Sequence, residues 1–322
     1  MDGHVEIIDV APRDGIQNER VLLPAADKIE LIRRIADAGG RRIEATSFVN
    51  PKRVPQMADA EAVMAGIERR PGLSLIGLVL NEPGLARARA AGCDEANVVV
   101  VASETFSRKN QGAGVADVVA AASAILAGAR AAGMRTSVTV GAAFGCPFEG
   151  EVPAQRVLAL VESLLPARPD EIALADTIGC GVPSQVRELL AGTRALAPQA
   201  RLRCHFHNTR NTGIANVLAA LEAGVDALDA STGGFGGCPF APAATGNIAT
   251  EDVVYMLERM GMATGIDLDA VLRTAEWLGE RATTRWRASW SCSRESPPPA
   301  LRKPGRPSWQ PCRWASGCSG PP

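Results

Sequence analysis

Short runs rich in Val, Ile and Leu alternate along this chain with longer segments in which apolar residues return every three or four positions. The first kind reads as buried strands and the second as amphipathic helices. Eight strand candidates stand out: "VEIIDV" (5–10), "RRIEATSF" (41–48), "LSLIGLVL" (73–80), "ANVVVVAS" (96–103), "TSVTVGAAFG" (136–145), "EIALADT" (171–177), "LRCHFHNT" (202–209) and "ALDASTGG" (227–234). Helix candidates such as "AADKIELIRRIADAGG" and "TGIANVLAALEAGV" lie between them, and several end in glycine, a common C-terminal signal. This alternation predicts an α/β protein, a (β/α)8 TIM barrel, in residues 1–280. C-terminal helices are expected in "NIATEDVVYMLERMG" and "LDAVLRTAEWLGE". A doubly wound open sheet is the alternative, but no GxGxxG follows the first strand.

The pattern stops near Glu280. Residues 281–322 hold eight prolines, seven serines, seven arginines and four of the chain's five tryptophans, and neither period survives there. Such a segment cannot supply a packed layer, so a disordered tail is expected. Its abrupt, Arg-, Pro-, Ser-, Trp- and Cys-rich composition is that of GC-rich DNA read out of frame. The competing expectation is a basic, aromatic tail for a partner.

Composition narrows the function. The chain is 322 residues long and 46% hydrophobic, ample for a large core. The net charge of −1 argues against a general nucleic-acid binder. It hides an asymmetry, because the tail carries eight Lys/Arg and one acid, or +7, leaving −8 for residues 1–280. No apolar run reaches about 18 residues, so no membrane span is expected. Eight cysteines without CxxC spacing suggest reduced thiols, and "MDGHVEIIDV" has the look of neither a signal nor a transit peptide. Together these point to the cytoplasm.

Histidine is scarce, yet two of the chain's three histidines stand together in "RCHFHNTRNTG". In a strand, His205 and His207 point to one face, near the end of the seventh strand where barrel active sites lie. They could share one metal ion or simply fill a barrel layer. Asp14 follows the first strand and shares that rim. Glu44 lies inside an otherwise apolar strand and Asp176 ends another; each is costly there unless paired or metal-bound. "GGFGGCPFAPAATGN" forms a shaped loop that presents the thiol of Cys238 and the amide of Asn247. Cys93, Cys146, Cys180 and Cys204 read as small apolar fillers. Lys52, Arg53, Arg108 and Lys109 lie in loops after the second and fourth strands, either as solvated surface or as contacts for ligand phosphates.

These stretches together resemble the 3-hydroxy-3-methylglutaryl-CoA lyase family, within the metal-dependent TIM-barrel lyases and Claisen-type synthases. The matches run along residues 5–280 and include "PRDGIQNE", "IEATSFVNPKRVPQMAD", "SETFSRKN", "FGCPFEG", "LADTIGCG", "CHFHNTRNTGIAN" and "GGCPFAPAATGNIATEDVVYML". The resemblance implies metal ligands at Asp14, His205, His207 and Asn247, holding Mg2+ or Mn2+. It implies catalytic residues at Arg13, Glu44, Asp176 and Cys238, and substrate-binding residues at Arg13, Gln17 and Ser47. The implied reaction is retro-Claisen cleavage of an acyl-CoA substrate to acetyl-CoA and a 3-oxoacid such as acetoacetate, in a homo-oligomer (dimer or tetramer). Arg13 would stabilise the enolate oxygen, Asp176 take the hydroxyl proton and Cys238 protonate carbon.

The chain departs from the family's pattern in two places. Asn208, Thr209, Arg210 and Asn211 replace the usual Asp-Thr-Tyr-Gly after the second histidine, and Ala173 stands where a serine is expected. Asn208 leans toward the synthases, whereas Gly-Gly-Cys-Pro is a lyase feature. The expected activity is therefore that of a lyase, for hydroxymethylglutaryl-CoA or a relative with another 3-substituent. A Claisen-type synthase is the runner-up, and an inactive barrel kept as a binding protein comes third.

Overall fold

A computed structural model describes residues 5–237 and 246–282. Cys238 and the tail from residue 283 onward therefore lie outside the described residues. Eight strands run in order: β1 (Glu6–Asp9), β2 (Arg42–Ser47), β3 (Ser74–Val79), β4 (Glu95–Val101), β5 (Arg135–Gly141), β6 (Glu171–Asp176), β7 (Arg201–Phe206) and β8 (Ala227–Ala230). Each pairs in parallel with the next, and β8 pairs with β1, so the sheet closes as the expected barrel.

The helices between strands are α1 (Ala25–Asp37), α2 (Ala60–Gly66), α3 (Glu82–Ala90), α4 (Glu104–Gln111) and α5 (Val115–Ala131). They continue with α6 (Ala154–Leu164), α7 (Pro183–Leu196) and α8 (Gly213–Glu222), and α9 (Thr250–Arg259) and α10 (Leu268–Ala282) follow β8. Each amphipathic helix lays its apolar stripe inward, as α1 does with Leu31, Ile32 and Ile35. None of the helices among the described residues is, as a single helix, long and apolar enough to cross a membrane.

Two strands, β5 and β8, end four residues before the pattern predicts. β5 stops at Gly141, after which Ala142 adopts φ +54°, and β8 stops at Ala230, followed by a 3-10 turn at Thr232–Gly234. Ala142, Ala143 and Phe144 are fully buried. Their hydrophobicity marks a buried rim loop rather than more strand. The thiols also need correction. Burial pushes Cys93 and Cys180 up to about 12, as suits inert fillers. Cys146 Sγ instead accepts from Ser103 Oγ (3.0 Å) and from the amides of Phe148 and Glu149, so it anchors a turn.

The barrel axis is filled by charge. Arg42 from β2 makes two bonds of 2.7 and 2.8 Å to Glu95 from its Nη2, and its guanidinium also reaches Glu171 at 2.7 and 2.8 Å. All three side chains are buried. Burial alone would raise the Glu171 carboxyl; Arg203, Arg42 and Arg135 bring it down to about 2. Removing one partner of such a set is costly, about 3–5 kcal/mol, because the remaining charge stays buried. The axis therefore holds its members in fixed positions beneath the rim.

Candidate active site

The rim at the C-terminal ends of the strands gathers most of the expected residues. After β1 the chain makes a one-turn π-helix, Ala11–Gly15, opened by Pro12. Asp9 at the end of β1 fixes this turn: its Oδ1 accepts from the Ala11 amide (2.9 Å), and its Oδ2 from Thr232 (2.6 Å) and Thr250 (2.9 Å). One buried carboxylate thus ties the start of the Arg13–Asp14 turn to the exit of β8 and the start of α9. Burial raises the Asp9 carboxyl, and these hydrogen bonds offset part of that. Asp9 passed unnoticed in the sequence, although a carboxylate ending a strand is the same signal that marks Asp176.

Arg13 is clamped from both sides. Its Nη1 donates to Asp14 Oδ1 (2.7 Å), and its Nε donates to Glu44 Oε2 (2.7 Å). Glu44 is held in turn by Asn97 Nδ2, 3.0 Å from Oε1. A register shift between Glu44 and Thr46 breaks the pleat of β2. Glu44 faces inward before the bulge, and Thr46 turns out toward Met57 after it. Ser47, next along, is fully buried with its Oγ unpartnered. Gln17, partly exposed, lies just beyond the π-turn.

His205 lies in β7, but that strand ends at Phe206 rather than continuing to 209. His207 stays extended because the segment that begins at Gly246 runs beside it. His207 forms an isolated antiparallel bridge with Asn247, and the Asn208 amide donates to Gly246 O (3.0 Å). The two imidazoles consequently remain close, with ring centroids 5.1 Å apart. This short segment also delivers Asn247 to the rim, a placement that spacing could not reveal.

Asp14, His205 and His207 each offer one ligand atom within 4.8 Å of the others. Asn247 Nδ2 donates to Asp14 Oδ2 (2.8 Å) and Phe235 O (3.0 Å), which leaves its Oδ1 buried without a partner. His207 Nδ1 is likewise buried and unpartnered. Two orphaned acceptors beside a carboxylate are costly in an empty pocket and natural around a cation. The donor set, two imidazole nitrogens and two oxygens, fits a divalent metal.

Electrostatics agree. Burial alone would raise the Asp14 carboxyl, but Arg13, His205 and His207 outweigh it and hold it well below the usual range. Burial and the neighbouring His205 charge bring His207 down to about 4, leaving a neutral ring at neutral pH. Burial opposes protonation of His205 too, yet the hydrogen bond to Asp229 and the charge of Asp14 raise it above its ordinary value.

Asp176 is fully buried at the end of β6. Its Oδ1 and Oδ2 accept from the amides of Cys180 and Gly181, each at 2.9 Å. Burial raises its carboxyl despite these bonds. It therefore shapes the loop after β6 while remaining a carboxylate of elevated proton affinity. Arg210, one of the departures noted above, pins the same loop through Ile178 O (3.2 Å) and Gly179 O (2.9 Å). Lys52 and Arg53 are exposed beyond β2, Arg108 pairs with Glu104 at 2.5 Å, and Lys109 lies 5.0 Å from the Phe148 ring centroid.

The flanks of the Cys238 loop reach this site. Asn18 Nδ2 donates to Gly237 O (2.6 Å). Gly236 has φ +114°, and a Cβ there would come within 2.4 Å of Asn247 Nδ2, so no larger residue fits beside the amide.

A family model described as HMGL-like matches residues 4–278. The chain belongs to the HMGL-like family. Within it, the chain is 41% identical over 277 residues to the hydroxymethylglutaryl-CoA lyase of Bacillus subtilis, covering 86% of this chain and 93% of that one. It is 43% identical over 284 residues to the (R)-citramalyl-CoA lyase of Chloroflexus aurantiacus, covering 85% and 90%. An HMG-CoA lyase from Acinetobacter baumannii, solved with coenzyme A and 3-methylmalate, superposes with a TM-score of 0.86 at 39% identity, covering 91% and 96%. The HMGL-like match spans the whole barrel and stops four residues before the end of α10.

Proposed function

We propose that this chain is a divalent-metal-dependent carbon–carbon lyase. It cleaves 3-hydroxy-3-methylglutaryl-CoA, or a close 3-hydroxy-3-substituted acyl-CoA, to acetyl-CoA and a 3-oxoacid such as acetoacetate. The observation that carries this reading is the convergence of Asp14, His205, His207 and the orphaned Asn247 Oδ1 beside a clamped arginine, in a chain of this family. Oxygen and imidazole donors favour Mg2+ or Mn2+ over a structural zinc. When bound, the cation would polarise the oxygens of the substrate.

The chain's own residues supply the rest. Arg13, held by Asp14 and Glu44, presents a fixed positive charge to the thioester oxygen as the C2–C3 bond breaks and charge moves onto it. Asp176, with its elevated proton affinity, accepts the proton of the tertiary hydroxyl. Cys238 returns a proton to the enolate carbon, completing acetyl-CoA. Lys52, Arg53, Arg108 and Lys109 line the same rim and provide cations for the phosphates of coenzyme A. The four free thiols among the described residues support a reducing compartment, the cytoplasm.

A second reading is cleavage of citramalyl-CoA, favoured by the 43% identity to a citramalyl-CoA lyase. That acyl chain has one methylene fewer between the tertiary carbon and the carboxylate, so the ketone product is a 2-oxoacid. Coupled assays of acetyl-CoA release from each acyl-CoA, with Mg2+ and with Mn2+, decide between them by kcat/KM. Release from neither, with CoA liberated instead from acetyl-CoA plus a 2-oxoacid, would make the chain a synthase.

Metal loading should depend on pH in a defined direction. His207 is neutral at pH 7, but His205 holds a proton above the ordinary histidine range in the metal-free protein. A cation must displace that proton, so affinity rises with pH, and the rise extends above the ordinary histidine range. Calorimetry in buffers of different ionisation enthalpy should show proton release accompanying Mn2+ uptake, larger at lower pH. A pH-independent affinity would contradict this assignment.

A further inference from the structure

Below the rim, polar contacts form a closed circuit inside the barrel. It runs from Arg13 through Glu44 and Asn97 to Arg203, whose Nη2 donates to Asn97 Oδ1 (3.3 Å). Arg203 Nε stands 3.6 Å from Asp229 Oδ1, and Asp229 Oδ2 stands 3.2 Å from His205 Nδ1. His205 Nε2 closes the ring 3.9 Å from Asp14 Oδ2, and Asp14 is bound to Arg13. The two nitrogens of His205 thus face different worlds: Nδ1 looks down at a carboxylate in β8, and Nε2 looks toward the ligand cluster.

A neutral imidazole carries one N–H, and the partner of one nitrogen decides which. A carboxylate acceptor at Nδ1 selects the tautomer that leaves the Nε2 lone pair free for a cation. We propose that Asp229 is a positioning residue that fixes the ring orientation and tautomer of His205, and that Arg203 holds Asp229 in place. His207 provides the contrast, since its Nδ1 has no partner of this kind. One ring of the pair is locked from below and the other is not. The inference rests on the metal-site reading above.

The test is a Mn2+ titration followed by the electron paramagnetic resonance signal of the free ion. Asp229→Asn should weaken Mn2+ binding by about 10- to 100-fold. Asp226→Asn, which disturbs the base of β8 through the Leu202 amide and Arg194 without touching Arg203 or His205, should leave the affinity near wild type. The chain's three histidines make a second readout practical. In 15N-histidine-labelled, Mg2+-loaded protein, His205 should show the Nδ1–H tautomer, and Asp229→Asn should lose that preference. If Asp229→Asn fails to fold, the charge-balanced pair Asp229→Asn/Arg203→Met carries the same expectation. Unchanged Mn2+ affinity in an Asp229 variant, or equal weakening by Asp226→Asn, overturns the proposal alone. A wild-type protein that takes up no Mn2+ overturns the metal reading and this proposal with it.

Discussion

His205→Ala and Asp14→Ala should each abolish turnover, and added Mg2+ should not restore it. His205 and Asp14 lie in one cluster with His207, so either change removes one of the four assigned protein ligands. Asp14→Ala also frees one side of Arg13, which then keeps only Glu44. Polarisation by a metal is worth several kcal/mol, and each 1.36 kcal/mol is tenfold, so the loss should reach on the order of 10³-fold or more. The measurement is kcat after dialysis against EDTA and re-addition of Mg2+, with circular dichroism confirming the fold. Near wild-type turnover in either variant would show that the cluster does not hold the catalytic metal.

Cys238→Ser should lower kcat by roughly 10²- to 10⁴-fold, the usual scale for a positioned acid or base, with much less change in KM. An unperturbed thiol titrates near about 8.5, within reach of proton transfer at neutral pH, whereas a serine hydroxyl is a far weaker acid. Thiol-modifying reagents should inactivate the wild type, and substrate should protect it. The Asn18–Gly237 bond and the close packing of Gly236 against Asn247 bring the described flank of this loop to the rim that carries Asp14 and Asn247. Full activity in the serine variant would leave Cys238 a loop-packing residue.

Much of the fold was legible because a parallel barrel writes itself as continuous apolar runs between helical periods, and each of the eight strands lies where such a run occurs. Errors collected at the rim, where buried loops such as Ala142–Phe144 are as apolar as strands. The site was legible for two reasons. Glu44 and Asp176 stood out as charges in apolar runs, and the family's motifs named the rest. What escaped was everything specified by contacts between distant segments. The bridge that brings Asn247 beside His207 and the bulge in β2 leave no periodic trace. Asn97, Arg203 and Asp229 read as ordinary strand residues until the barrel closes and turns them inward, whereas Asp9 carries the same signal as Asp176. Arg42, Glu95 and Glu171 were passed over for the same reason, each lying near the start of its strand.

The polar axis has a consequence for any attempt to engineer this enzyme. In most barrels the interior is aliphatic filler, open to repacking for thermostability. Here the interior from Arg42 up to Asp229 is contiguous with the residues that hold Arg13 and His205. Replacing the whole charged set with leucine or valine would trade reaction rate for melting temperature, and replacing one member alone would lose both. Gains in heat tolerance should be sought instead between strands and helices, or on helix surfaces, where a change in packing does not propagate into the chemistry.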